Sequence, residues 1–270
     1  WNTRGPRMQD DLFNKIAKEM RNYSGWINTV CLSRNGEPLL DNKLVERIKI
    51  LKDYGINNVS FSTNASLLYE DKARELISSG LDDIRFSIDG ATKETFESIR
   101  IGLNYEEVLE NCFRFIQMRN EKGNLPRVQI RMVLQEKNQH EEEAWRDFWT
   151  SKVSKNDIVT SKVMSSWGNQ LDSYEGKKED EKYAHVPCIS LWSTLIAHFD
   201  GKVPLCGCDF NQEVLLGDLS TNSIKEVWQS SEYESVRKAH ASGNRNSISL
   251  CKGCNIWDRD EKKIYGLTNG

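Results

Sequence analysis

The sequence predicts an α/β protein, a parallel sheet with helices on its outside followed by a small cysteine-rich unit. Strand-like and helix-like stretches alternate strictly from Leu12 to Met164, with short connections between them. Small, polar and glycine residues gather at the C-terminal ends of the strand-like runs, where the βα loops of a parallel sheet build sites. Five of the seven cysteines lie at or after Cys188.

The first helical stretch is "LFNKIAKEM", Leu12 to Met20. The strand-like "INTVCLS" (Ile27 to Ser33) follows, then the helical "LVERIKILKDYG", where Leu44, Ile48 and Leu51 line one face and Gly55 ends the helix. Next come strand "INNVSFST" (Ile56 to Thr63), helix "EDKARELISSG", strand "DIRFSID" (Asp83 to Asp89) and the amphipathic "YEEVLENCFRFIQMRNEKG". Strand "RVQIRMVLQ" (Arg127 to Gln135), helix "EEEAWRDFW" and strand "DIVTSKVM" (Asp157 to Met164) complete five βα-type repeats, in an open sheet or a barrel. Trp145, Phe148 and Trp149 recur at helical spacing and are expected in the core. The pattern stops near Trp167, and the polar "NQLDSYEGKKEDE" reads as a linker. Domains are expected at 1–168 and 187–270, joined by a linker at 169–186.

A chain of 270 residues buries roughly three quarters of its unfolded surface, so it needs no metal or disulfide merely to form a core. Lys plus Arg number 37 against 40 Asp plus Glu, which argues against nucleic acid as a partner. No apolar run approaches the ~20 residues of a membrane helix, and a cytoplasmic location is expected. His140, His185, His198 and His240 have no metal-ligand spacing.

Cys188 is followed after twelve residues by Gly201, then after four by Cys206, with Cys251 and Cys254 further on as C-x-x-C. Gly201 in "DGK" reads as a tight turn returning the chain beside Cys188, and a C-x-x-C turn lets two thiolates converge. Four thiolates suit tetrahedral zinc or a [4Fe–4S] cluster. Cys208 is left over, as an alternative ligand or a neighbour of the ligands. Cys31 and Cys112 are expected as small core residues.

The cysteine spacing, with "LGDLSTNSIKEVWQSSEYESVRKA" between the pairs, resembles the SPASM/Twitch extension of radical S-adenosylmethionine (SAM) enzymes. The resemblance implies a partial (β/α)6-type barrel, with Cys188, Cys206, Cys251 and Cys254 ligating an auxiliary [4Fe–4S] cluster and Trp192 and Trp228 packed around it. "NGEPLL" resembles the motif that holds the SAM ammonium, at Gly36 and Glu37. "STN" (Ser62, Asn64), "SIDG" (Ser87, Asp89) and Arg100 resemble residues that meet the ribose and carboxylate of SAM.

The family's C-x-x-x-C-x-x-C, which holds the SAM-cleaving [4Fe–4S] cluster, does not occur in this sequence. The expectation is an N-terminal truncation at Trp1 that removes the first barrel unit, with the second cluster present only in an intact parent and this chain inactive. For that parent the resemblance implies cleavage of SAM to a 5′-deoxyadenosyl radical, hydrogen abstraction, and dehydrogenation of a small sugar-like or cyclitol substrate, the auxiliary cluster accepting an electron. An external donor such as flavodoxin or ferredoxin is implied. The competing readings are a peptide-modifying maturase and a non-enzymatic zinc module.

Overall fold

The computed structural model describes residues 7–168, 170–171, 185–252 and 254. Most of the expected linker 169–186, the chain start at Trp1 and the end of the expected 187–270 domain lie outside the described residues. The chain divides into two compact units. One is Met20–Val163, and the other takes in residues up to Glu19 together with those from Met164 onward.

The larger unit is a five-stranded parallel sheet, β1 (Thr29–Cys31), β2 (Asn58–Thr63), β3 (Asp83–Ser87), β4 (Arg127–Leu134) and β5 (Ile158–Val163), ordered as in sequence. Such an order, wound by crossovers of one hand, keeps the helices on one side of the sheet and curls it as in a barrel. Burial alternates accordingly. Val59, Phe61, Ile84, Phe86, Val128, Ile130 and Met132 are fully buried, whereas Ser60, Ser62, Arg85, Ser87, Gln129 and Arg131 between them are only half-buried.

The crossover helices are α2 (Leu44–Asp53), α3 (Glu70–Ile77), α4 (Lys93–Ile99), α5 (Tyr105–Asn120) and α6 (Glu142–Thr150). Asn104 caps α5 by accepting the Glu107 N–H at 2.9 Å, and Val108, Cys112, Phe115 and Ile116 form its buried stripe. In α6, Trp145 and Trp149 are buried as expected, but Phe148 is 39% exposed because it sits on the flank of the stripe, where its ring meets Trp149 and Phe113. Cys112 is buried, but Cys31 is exposed, because its position on β1 belongs to the polar side of the sheet beside Ser60. Helix α4 has no counterpart in the expected elements. Only Phe96 of its seven residues is buried, so it carries no periodic signal, and its start is set by Thr92, which accepts the Thr95 N–H.

In the smaller unit, β6 (Lys202–Pro204) and β7 (Leu215–Asp218) pair antiparallel beside three helices, α7 (Ser190–Ser193), α8 (Ile224–Trp228) and α9 (Ser231–Ala241). Ser223 and Glu226 form a reciprocal capping box at α8. Helix α1 (Asp10–Arg21) contributes to this unit through its first three turns: Lys15 Nζ donates to the Leu219 and Asn222 carbonyls at 2.8 and 2.7 Å, and Glu19 accepts the Ile224 N–H at 2.7 Å. No helix among the described residues is long and apolar enough to cross a membrane.

The last strand is held by a wholly buried ion pair. Arg119 Nη1 and Nη2 grip the two Asp157 oxygens at 2.8 and 2.7 Å, and the same carboxylate accepts the N–H groups of Val128 and Ser154. Burial raises the Asp157 pKa, but the Arg119 bonds and the two N–H bonds outweigh it and hold the carboxyl below its usual value. A depressed folded-state pKa adds stability above the unfolded value, near 4, that is lost as pH falls through the folded one. Asp157→Ala should cost about 3–5 kcal/mol in urea unfolding at neutral pH, because Arg119 is left buried and unpaired. The variant should also lack this share of the acid destabilisation; equal stability of the two proteins at pH 7 would contradict it.

Candidate cluster cage and cofactor loops

The four cysteines expected as ligands are brought together by backbone, not by disulfides: among the described residues, which include all seven cysteines, none is disulfide-bonded. Cys188 stands just before α7, and its N–H donates to His240 Nδ1 at 3.2 Å. His240 is buried on α9, and burial, reinforced by the nearby Arg245 charge, pushes its pKa down to about 4. The ring is therefore neutral, with Nδ1 as acceptor and the proton on Nε2, which is buried without a partner.

Cys206 follows β6. Its chain is returned toward Cys188 by the turn at Gly201, where φ is +86° and a Cβ would stand 2.9 Å from the Ser220 nitrogen. The loop beyond is fixed by Asp209, fully buried, whose carboxylate accepts the N–H groups of Glu213 at 2.8 Å and Val214 at 3.0 Å. The Cys208 N–H donates to Cys206 Sγ at 3.4 Å, so the leftover cysteine serves the expected ligand through its backbone. Cys251 closes a 3₁₀ turn, and the Cys254 N–H bonds its carbonyl at 3.2 Å. Arg245 ties this end to the start of the unit by donating to the carbonyls of Cys254 (3.1 Å) and Val186 (3.4 Å).

The Cys251 thiol is pushed up first by burial and then by Cys206, Cys254 and Cys188, whose charges all reach it. Four half-buried thiols close to one another, one of them accepting an N–H bond and with Arg245 nearby, resist joint ionisation until a cation is present; this donor set fits an iron-sulfur cluster. Trp192, expected around that cluster, is 41% exposed, its position on the four-residue α7 facing outward, and Trp228 stacks with Tyr233 on the Arg237 guanidinium at 4.3 and 4.5 Å.

In the larger unit the expected cofactor residues fall into two groups. Glu37 joins the loop after β1 to the end of β2: Oε1 accepts the Leu39 N–H and the Thr63 hydroxyl at 3.0 and 2.6 Å, and Oε2 accepts the Asn64 N–H at 2.8 Å. Oε2 keeps lone-pair capacity for an ammonium, and beside Gly36 nothing lies within 4 Å of a Cβ position, so a ligand has room to approach. The Ser62 N–H donates to Ser33 Oγ, and the Asn64 side chain accepts from Ser66. This donor and acceptor set fits the ammonium end of SAM.

Asp89 and Arg100 form the second group. Asp89 is buried, accepts the Val133 N–H at 2.7 Å and pairs with Arg100 at 2.6 Å, so the two charges expected at the SAM carboxylate engage each other. Gly90 is required here because a Cβ would lie 2.5 Å from the Phe96 nitrogen of α4. Ser87 lies opposite Arg131 in the sheet register. Sequence reasoning singled out none of Thr63, Arg85, Arg131, Asp209 and Arg245, and noted His240 only for its lack of metal-ligand spacing. For the two sheet arginines a signal existed, since period-two alternation puts them on the face of Ser62 and Ser87.

Comparison with protein families assigns both parts of the chain to known domains. The Radical SAM superfamily model matches residues 2–148, and SPASM, an iron-sulfur cluster-binding domain, matches 188–255. The chain belongs to the radical SAM superfamily and carries a C-terminal SPASM domain; the family implies SAM and [4Fe–4S] clusters. A probable GTP 3′,8-cyclase of Saccharolobus islandicus is 35% identical over 126 residues, 47% of this chain and 38% of that protein. The S-adenosyl-L-methionine-dependent 2-deoxy-scyllo-inosamine dehydrogenase of Niallia circulans is 29% identical over 93 residues, 34% of this chain and 36% of that protein. These matches thus span little more than a third of the curated relatives. Two solved structures share the fold: BtrN in complex with AdoMet and 2-DOIA (18% identity, 94% of this chain and 82% of that one, TM-score 0.59) and anSMEcpe with bound AdoMet (15%, 94% and 82%, 0.63).

Glu37→Ala should orphan the N–H groups of Leu39 and Asn64 and the Thr63 hydroxyl, at about 1–3 kcal/mol for each donor left dry. Urea unfolding and faster amide exchange at Asn64 would register the change; unaltered exchange there would show that Glu37 does not hold this loop.

Proposed function

We propose that this chain is part of a radical SAM oxidoreductase that dehydrogenates a small sugar-like or cyclitol substrate. In this reading residues 1–168 bind SAM and substrate, and 187–270 carry an auxiliary [4Fe–4S] cluster held by Cys188, Cys206, Cys251 and Cys254. The observation that carries it is the half-buried Cys251 thiol, which lies close enough to the other three for each to raise its pKa. Four thiolates complete the coordination of a cluster and leave no iron open to substrate, so the chemistry such a group supplies when bound is acceptance of an electron.

The protein's own residues supply placement. Arg245 and the Cys251–Cys254 turn bring the C-terminal pair to the segment before Cys188, and Asp209 holds the Cys206 loop open toward them. Glu37 offers an acceptor and Gly36 the open space for the amino acid end of SAM. The similarity to the Niallia dehydrogenase supports the substrate class.

The test is anaerobic reconstitution with iron and sulfide, followed by iron, sulfide and zinc analysis and a visible spectrum. About four irons per chain with a brown colour are expected, and both should be lost in Cys251→Ala/Cys254→Ala. Tight zinc with no iron would overturn the reading in favour of a structural metal module.

A further inference from the structure

The polar face of the sheet in the larger unit carries two half-buried arginines whose positive charge is only partly balanced among the described residues. Arg85 on β3 and Arg131 on β4 lie on the same face, one strand apart, since Arg85 is in register with Gln129, two residues before Arg131. Arg85 Nε donates to Gln129 Oε1 at 2.6 Å and Nη1 to Ser62 Oγ at 3.1 Å, both neutral partners, which aim its planar group without neutralising it. Arg131 has no hydrogen-bond or ion-pair partner among the described residues, and its Nε is buried. The nearest carboxylates are committed elsewhere: Asp89 to Arg100 and Val133, and Asp83 to Arg127 and Asn58.

Burial first, then the charges of Arg85 and Arg34, lower the Arg131 pKa to about 10, with only partial relief from Asp89 and Cys31. Arg85 is lowered by burial as well. Both remain cationic at neutral pH. Two half-buried guanidiniums side by side, relieved only in part by Asp83, Asp89 and Cys31 and paired with no carboxylate, repel each other, and a ligand that supplies negative charge would complete the arrangement. Their forked donors match the oxygens of phosphate or carboxylate. Ser62, Ser87 and Thr160, in register with Arg85 or Arg131 on the same face, add neutral hydrogen-bonding groups suited to hydroxyls.

We propose that Arg85 and Arg131 form an anion subsite on the polar face of the sheet, and that the substrate is a hydroxylated small molecule bearing a phosphate or carboxylate. This deepens the reading of the larger unit as the substrate-binding part of a radical SAM enzyme. The same chemistry has a second source, the carboxylate of SAM itself, and the experiment separates the two.

Inorganic pyrophosphate is titrated calorimetrically into the chain, with and without saturating SAM, and into Arg85→Gln, Arg131→Gln and Arg131→Lys. Binding is expected in the parent chain, undiminished by SAM, and weakened about tenfold or more by either glutamine, with Arg131→Lys intermediate. Thermal unfolding guards against misfolding: Arg131→Gln should melt no lower than the parent, because it removes a half-buried charge that no ion pair balances among the described residues. No pyrophosphate binding, equal binding by the glutamine variants, or displacement by SAM would each overturn the subsite. The titration needs no cluster, so its failure leaves the iron analysis untouched, and loss of the cluster reading leaves the anion result standing.

Discussion

Alternation along parallel strands is the constraint from which the larger unit follows. In β2, β3 and β4 each second side chain is withdrawn into the helices' side of the sheet, where Phe61, Ile84, Phe86, Val128, Ile130 and Met132 are sealed from water. The positions between them must then share the opposite face, and they are serine, arginine and glutamine. A register slip of one residue would bury Arg85 and Arg131 and expose the phenylalanines, so the packing that stabilises the sheet also fixes where its polar groups stand. The loop chemistry hangs from the same strands. Glu37 reaches the end of β2 because Thr63 and Asn64 stop there, and Asp89 reaches β4 because Val133 is its neighbour across the sheet.

In the smaller unit regular structure is scarce, and polar side chains take over the work of positioning. Asp209 gathers backbone N–H groups around the Cys206 loop, Arg245 bridges two distant carbonyls, and His240 receives the Cys188 N–H. All three are buried, so each bond is made where water does not compete. The result is a set of thiols whose backbone is fixed before any metal arrives, which lowers the entropic cost of assembling a metal site.

The long amphipathic helices and alternating strands were legible because burial stamps its period on them: α5 and β4 repeat their pattern over several turns or residues. Helix α4 escaped because one buried phenylalanine makes no period, and Cys31 was misplaced because apolar neighbours in sequence do not reveal which face of a strand a residue takes. Exposure of Phe148 and Trp192 has the same origin, since residue type says less than position on the stripe. The cysteine spacing pointed to a cage, and the Gly201 turn was readable from "DGK". The groups that hold the cage were not readable, because His240 and Arg245 reach backbone atoms as far off in sequence as Cys188 and Val186, and Asp209 serves the N–H groups of an irregular loop, and such bonds leave no motif. The Asp89–Arg100 pair shows the converse: each residue matched a ligand pattern, yet only the three-dimensional packing reveals that they neutralise each other.

In the proposed cluster Cys188, Cys206, Cys251 and Cys254 leave every iron bound by a protein thiolate. The most direct measurement is a Mössbauer spectrum of the chain reconstituted with ⁵⁷Fe under anaerobic conditions, recorded with and without SAM. The expected spectrum is that of a fully thiolate-ligated [4Fe–4S] cluster, unchanged by SAM. A cluster with one distinct iron that responds to SAM, or a chain that takes up no iron at all, would contradict it.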